Sequence, residues 1–180
     1  ELGRNRLNRE RDSTRSNPLP PDELVRSLGA EPVDDGDSPQ FYQSNLWSAK
    51  DLALARETFQ TLSDAERDRA ARLVFEEGRS TLGPEMRAEV LNHLLREGAS
   101  EVLEERALQR RLNETAAQWG RNDPAAAARW VETLPEGEAR EWAGKNVALA
   151  WSSQSETEMK AWLNSLGEEE RRKISEVFAK

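Results

Sequence analysis

From Ser48 onward apolar residues return every three or four positions, and each stripe has a cap-forming residue before it and a breaker after it. In "SAKDLALARETFQTL" the stripe is Leu52, Ala55 and Phe59, behind Ser48. In "SDAERDRAARLVFEEG" Ser63 and Glu66 have the spacing of a capping box, Ala70, Leu73 and Val74 share a side, and Gly78 closes the segment. "GPEMRAEVLNHLLREG" puts Pro84 in a first turn and stops at Gly98. Ser100 then caps a longer helix, expected to end near Trp119, with Leu108, Leu112, Ala116 and Trp119 on one side. No segment shows the strict alternation of a half-buried strand, so the pattern predicts an all-α fold.

The first 45 residues read differently. They hold five of the eight prolines (Pro18, Pro20, Pro21, Pro32, Pro39), the acidic knot "DDGD" and few aliphatics. So little apolar surface cannot offset the entropy of ordering, and residues 1–45 read as a flexible linker or tail. The exception is "PPDELVRSLG", where Pro21 and Asp22 suit a helix start, Leu24, Val25 and Leu28 share a face, and Gly29 suits a stop.

Farther along, the pattern repeats. An offset of 32 residues places Ala116 on Ala148, Trp119 on Trp151, Trp130 on Trp162, Leu134 on Leu166, Glu136 on Glu168 and Arg140 on Arg172, without a gap. Each unit ends a long helix at its first tryptophan, turns, and restarts a short helix at a cap, Asp123 with Pro124 in one copy and Ser155 with Glu158 in the other. "LPEG" and "LGEE" end the short helices. An antiparallel helix pair has two apolar flanks and must stack to bury both, so the expected architecture over residues 119–180 is a short α-solenoid. Ala125 to Ala128 let another helix approach, and Trp119, Trp130, Leu134, Trp151, Trp162 and Leu166 are expected to pack the joints. The register puts the next tryptophan just beyond Lys180, so the array is expected to be truncated, with Ile174, Val177 and Phe178 on an open apolar side suited to self-association. Residues 46–118 match the period poorly; Arg87 stands where a tryptophan would fall, and this region reads as diverged repeats or a cap.

Composition narrows the function classes. Of 180 residues, 36% are apolar and 33% charged, which suits an elongated helical array. The net charge of -8 disfavours nucleic acid, and no apolar run approaches the roughly 20 residues of a membrane span. With no cysteine, disulfides, thiolate metal sites and a cysteine nucleophile are excluded, while either redox compartment remains compatible.

Trp119, Asp123-Pro124, the alanine run, Trp130, Leu134-Pro135 and Gly137 together resemble helical repeats found in many uncharacterised bacterial proteins, often exported. The alternation of long and short helices resembles tetratricopeptide-like α-solenoids, whose own period of 34 and signature positions are not reproduced. Residues 119–137 match well and 151–169 in part, Ser155-Glu156 replacing Asp-Pro. The resemblance implies a protein-binding architecture and a bacterial origin, favours an exported or periplasmic setting, and carries no active site or cofactor.

Candidate chemistry is sparse. His93, the only histidine, borders the stripe of Val90, Leu91, Leu94 and Leu95 and reads as an ordinary half-exposed helix position. The Glu76-Glu77, Glu104-Glu105 and Glu168 to Glu170 runs read as solvated faces, because adjacent helix residues diverge. Arg106, Arg110 and Arg111, with Glu114 four beyond Arg110, read as an ion-paired side. Trp142, whose counterpart is Ile174, and Trp47, outside the array, are with Phe178 the candidate contacts for a partner. The expectation is a non-enzymatic scaffold without cofactor that binds a protein or peptide, or alternatively a structural spacer in a larger exported or envelope-associated protein.

Overall fold

A computed structural model of the chain describes residues 20–29, 48–76, 82–96 and 104–179. Those residues form nine α-helices and no strand, so the fold is all-α. The helices are α1 (Pro21–Gly29), α2 (Ala49–Thr61), α3 (Asp64–Glu76), α4 (Pro84–Arg96), α5 (Glu105–Asn122), α6 (Pro124–Thr133), α7 (Glu138–Ser152), α8 (Glu156–Ser165) and α9 (Glu168–Ser175), with a closing 3-10 turn at Glu176–Phe178. Trp47, Gly78, Gly98, Ser100 and the proline-rich remainder of residues 1–45 lie outside the described residues.

Local chemistry sets the helix starts. Ser48 and Ser63 form reciprocal boxes: Asp51 N donates to Ser48 Oγ while the Asp51 carboxylate accepts from Ser48 N at 3.0 Å. The Glu66 carboxylate accepts likewise from Ser63 N at 2.7 Å. Asp123 Oδ1 accepts from Ala126 N at 2.9 Å and Ser155 Oγ from Glu158 N at 3.3 Å, so different residues build the same joint. The expected Ser155–Glu158 box is only half made. Ser155 N already donates to Trp151 O, and the Glu158 carboxylate instead accepts from Trp151 Nε1. Helix α5 continues to Asn122, three residues beyond the expected stop, because Asp123 N still donates to Trp119 O.

Packing then joins helices that are not neighbours in the chain. Helix α7 packs against both α5 and α9, and Gly120 and Gly144 permit those approaches. A Cβ at Gly120 would lie 3.2 Å from Val147 Cα, and one at Gly144 would lie 2.5 Å from Ile174 Cδ1. Ile174 is therefore fully buried, not part of an open apolar face as the sequence predicted. Helices α2 and α4 pack together, and indole hydrogen bonds link α4 to α6 and α6 to α8. Helix α1 is docked on α2 and α3 through buried Leu24, Val25 and Leu28. The tail stretch thus supplies a piece of core despite its composition.

Candidate functional site

The tryptophans form two pairs. The ring centroids of Trp119 and Trp130 lie 5.8 Å apart at 32°, and those of Trp151 and Trp162 lie 5.9 Å apart at 31°. All four rings are at most 7% exposed, Leu134 is buried and Leu166 is half-buried against the core. Burying one indole removes on the order of 200 Å² from water, worth ~5 kcal/mol before entropy, whereas an indole hydrogen bond adds only ~1 kcal/mol. Ring burial therefore sets the geometry. The acceptors follow local opportunity: Trp130 donates to Asn92 at 3.1 Å, Trp162 to Glu132 at 3.1 Å and Trp151 to Glu158 at 3.4 Å.

The first pair also forms one wall of a groove of about 450 Å³ between α2, α4 and α6. Leu52, Ala53 and Arg56 line it from α2, Ala88 and Asn92 from α4, and Trp119, Ala126, Arg129 and Trp130 complete the opposite side. Glu85 and Glu89 contribute acidic groups on the α4 side, and Gln60 Nε2 donates to Glu89 at 3.1 Å. The groove is amphipathic: alanines, Leu52 and the two indoles share its lining with two arginines and two glutamates. Sequence reading assigned Trp119 and Trp130 to packing alone. The residues that line the groove could not be named from the sequence, because α2, α4 and α6 come from segments with no shared periodicity.

The residues singled out as partner contacts lie elsewhere. Trp142 is half-buried and packed against the core, which limits it as a free anchor. Phe178 is 40% exposed and borders a second cleft of about 740 Å³ with Met159, Leu163 and Arg171, at the end of α7, α8 and α9. Trp47 falls outside the described residues. Trp142 lines neither this cleft nor the groove, so Trp142 and Phe178 share no described pocket.

The polar candidates are used structurally. His93 is buried, not half-exposed: its Nε2 lies 3.0 Å from Asp68 Oδ1, and its ring meets Phe59 edge-on at 5.9 Å. A side chain at the edge of its own helix stripe is covered here by α2 and α3. Glu114 pairs with Arg111 at 3.0 Å rather than with Arg110. Arg111 also donates to the Phe75 carbonyl and lies over the Phe75 ring, so helix α3 decides which arginine turns inward. Arg87, at the position without its tryptophan, is a buried side chain donating to Gln118 on α5. Burial lowers its pKa, against the opposing attraction of Glu114. A long guanidinium stem thus fills space between α4 and α5.

Among the described residues no group of three or more His, Cys, Asp or Glu is placed to hold a metal ion, and no helix is long and apolar enough to cross a membrane. No family model, curated protein or solved structure matches this chain.

Proposed function

We propose that the chain is a protein–protein interaction scaffold, built of helix pairs that stack as a short α-solenoid, and that the groove between α2, α4 and α6 holds a segment of another protein. Stacking is supported by the recurrence of one indole-pair geometry at the 32-residue offset, and by the packing of α7 on both α5 and α9. The observation that carries the binding role is the groove itself, whose lining combines two large aromatic rings, small side chains and two arginines. The reading is non-catalytic. Its acid–base candidate, His93, is engaged with Asp68 and Phe59, and the net charge of -8 argues against a polyanionic partner.

Peptide display on the full chain tests this, with Ala53→Arg as the control because Ala53 is exposed on the groove wall. The expected result is enrichment of related peptides on the native chain and their loss on the variant. Absence of any related set, or equal enrichment on both, overturns groove binding and favours the alternative of a structural spacer in a larger, exported or envelope-associated protein.

A further inference from the structure

Indole N–H bonds tie alternate helices together, and the series runs out at an exposed amide. Trp130 of α6 donates to Asn92 of α4 at 3.1 Å, and Trp162 of α8 donates to Glu132 of α6 at 3.1 Å. The 32-residue offset carries Glu132 onto Asn164, which is exposed on α8 and makes no side-chain hydrogen bond among the described residues. Asn92 shows that an asparagine serves as the acceptor for this contact. Asn164 lines the cleft of about 740 Å³ at the end of α7, α8 and α9, with Met159, Leu163, Arg171 and Phe178. At the same offset Leu163 stands on Val131, which is fully buried beside Gly144 where Ile174 of α9 packs. The cleft thus presents, open to solvent, the kind of surface that the preceding joint covers.

What it can receive is narrower than a complete helix pair. Gly120 and Gly144 admit the close approach of α7 and α9, and the offset replaces them with Ser152 and Glu176, whose side chains hold a following long helix away. The indole contact needs neither glycine. Charge narrows the choice again: Lys160 in the cleft is paired with Glu156 at 2.6 Å, whereas Arg171 has no acidic partner among the described residues. A second copy of the chain offers no free indole, because every tryptophan among the described residues is buried or packed against the core.

We propose that this cleft binds a single short helix of another polypeptide, through a tryptophan whose indole N–H donates to Asn164 Oδ1 and an acidic side chain that pairs with Arg171. The site is distinct from the groove between α2, α4 and α6; the inference rests on the stacking reading above and not on groove binding. Covering the ring against Leu163 and Phe178 supplies most of the affinity, and the Asn164 amide selects an indole over a phenyl ring.

The test is titration of the ¹⁵N-labelled full chain with the acetylated, amidated peptide Ser-Glu-Thr-Glu-Met-Lys-Ala-Trp-Leu-Asn-Ser-Leu, the sequence of residues 155–166, whose tryptophan the chain itself seats on Glu132. The Asn164 side-chain amide resonances are expected to move, and the same peptide methylated on the indole nitrogen to bind ~fivefold more weakly. Asn164→Asp, which keeps an acceptor as Glu132 does, is expected to preserve that preference, and Asn164→Leu to abolish it. Arg171→Ala is expected to weaken binding ~threefold. Asn164 resonances unmoved by the peptide, equal affinity for the two peptides, or unchanged affinity in Arg171→Ala overturns the inference. Loss of binding in Ala53→Arg overturns it by placing the peptide in the groove. Movement of the Asn164 resonances with chain concentration alone, together with a dimer in sedimentation, overturns it in favour of a second copy. Failure of the display experiment overturns groove binding alone, and absence of the Trp151–Trp162 ring contact in solution is the separate result that overturns the stacking reading.

Discussion

The units beginning at Trp119 and Trp151 hold their rings alike but surround them with different polar groups. Trp119 with Trp130 and Trp151 with Trp162 agree within 0.1 Å and 1°. Their caps are an aspartate and a serine, and their N–H acceptors are Asn92, Glu132, Glu158 and, for Trp119, none among the described residues. The difference separates what the two ring pairs share from what varies around them. Large apolar area is worth several kcal/mol per ring and is only recovered in one packing arrangement, whereas a cap or an acceptor is worth about 1 kcal/mol and can be supplied by several residues.

That separation orders the expected effects of substitution. Trp130→Ala and Trp162→Ala should each lower stability by about 3–5 kcal/mol, read by thermal or urea unfolding. A cost below about 1 kcal/mol in either, with the other large, would break the equivalence of the units. The glycines at the α5–α7 and α7–α9 contacts should then part company. Gly120→Ala meets Ala150 Cβ at 3.0 Å and the Val147 backbone at 3.2 Å and should cost ~1–3 kcal/mol, a loss that trimming Ala150 to Gly recovers only in part. Gly144→Ala meets the end of Ile174, so Ile174→Val in the same chain should recover most of the loss, and simple additivity of the two changes would contradict that contact.

These glycines also show where the sequence is legible and where it is not. Caps and stripes are local, so Ser48, Ser63, Asp123 and Ser155 could be read directly, and helix class followed from them. Trp119 and Trp130 could be placed at a joint from periodicity. Helix-to-helix approach has no such signature: Gly120 and Gly144 look like ordinary helix glycines until Val147 and Ile174 arrive against them. His93 and Arg87 were covered by helices whose position periodicity does not encode, and the groove is assembled from three segments by tertiary packing alone.

Smaller effects concern the caps. Asp123→Ala should cost ~1 kcal/mol and Ser155→Ala less, because the Ser155 bond is longer; urea midpoints of the two variants check the order. The smallest effect separates these caps from those of α2 and α3. Hydrogen bonds from Ser48 hold the Asp51 carboxyl below its ordinary value of 3.8, and those from Ser63 hold Glu66 below 4.5. Depressed folded-state values mean that the stabilisation is complete above the ordinary values and is lost as pH falls through the lower folded ones. Ser63→Ala should therefore flatten the acid limb of a stability profile, while Ser155→Ala should leave its shape unchanged. An unaltered acid limb in Ser63→Ala would show that its reciprocal box contributes nothing in solution.

The central claim, that one ring-pair joint occurs twice, is tested most directly by nuclear Overhauser contacts in a sample protonated only at tryptophan side chains. Cross-peaks are predicted within Trp119–Trp130 and within Trp151–Trp162, of comparable strength. Cross-peaks within one pair and none within the other would contradict it.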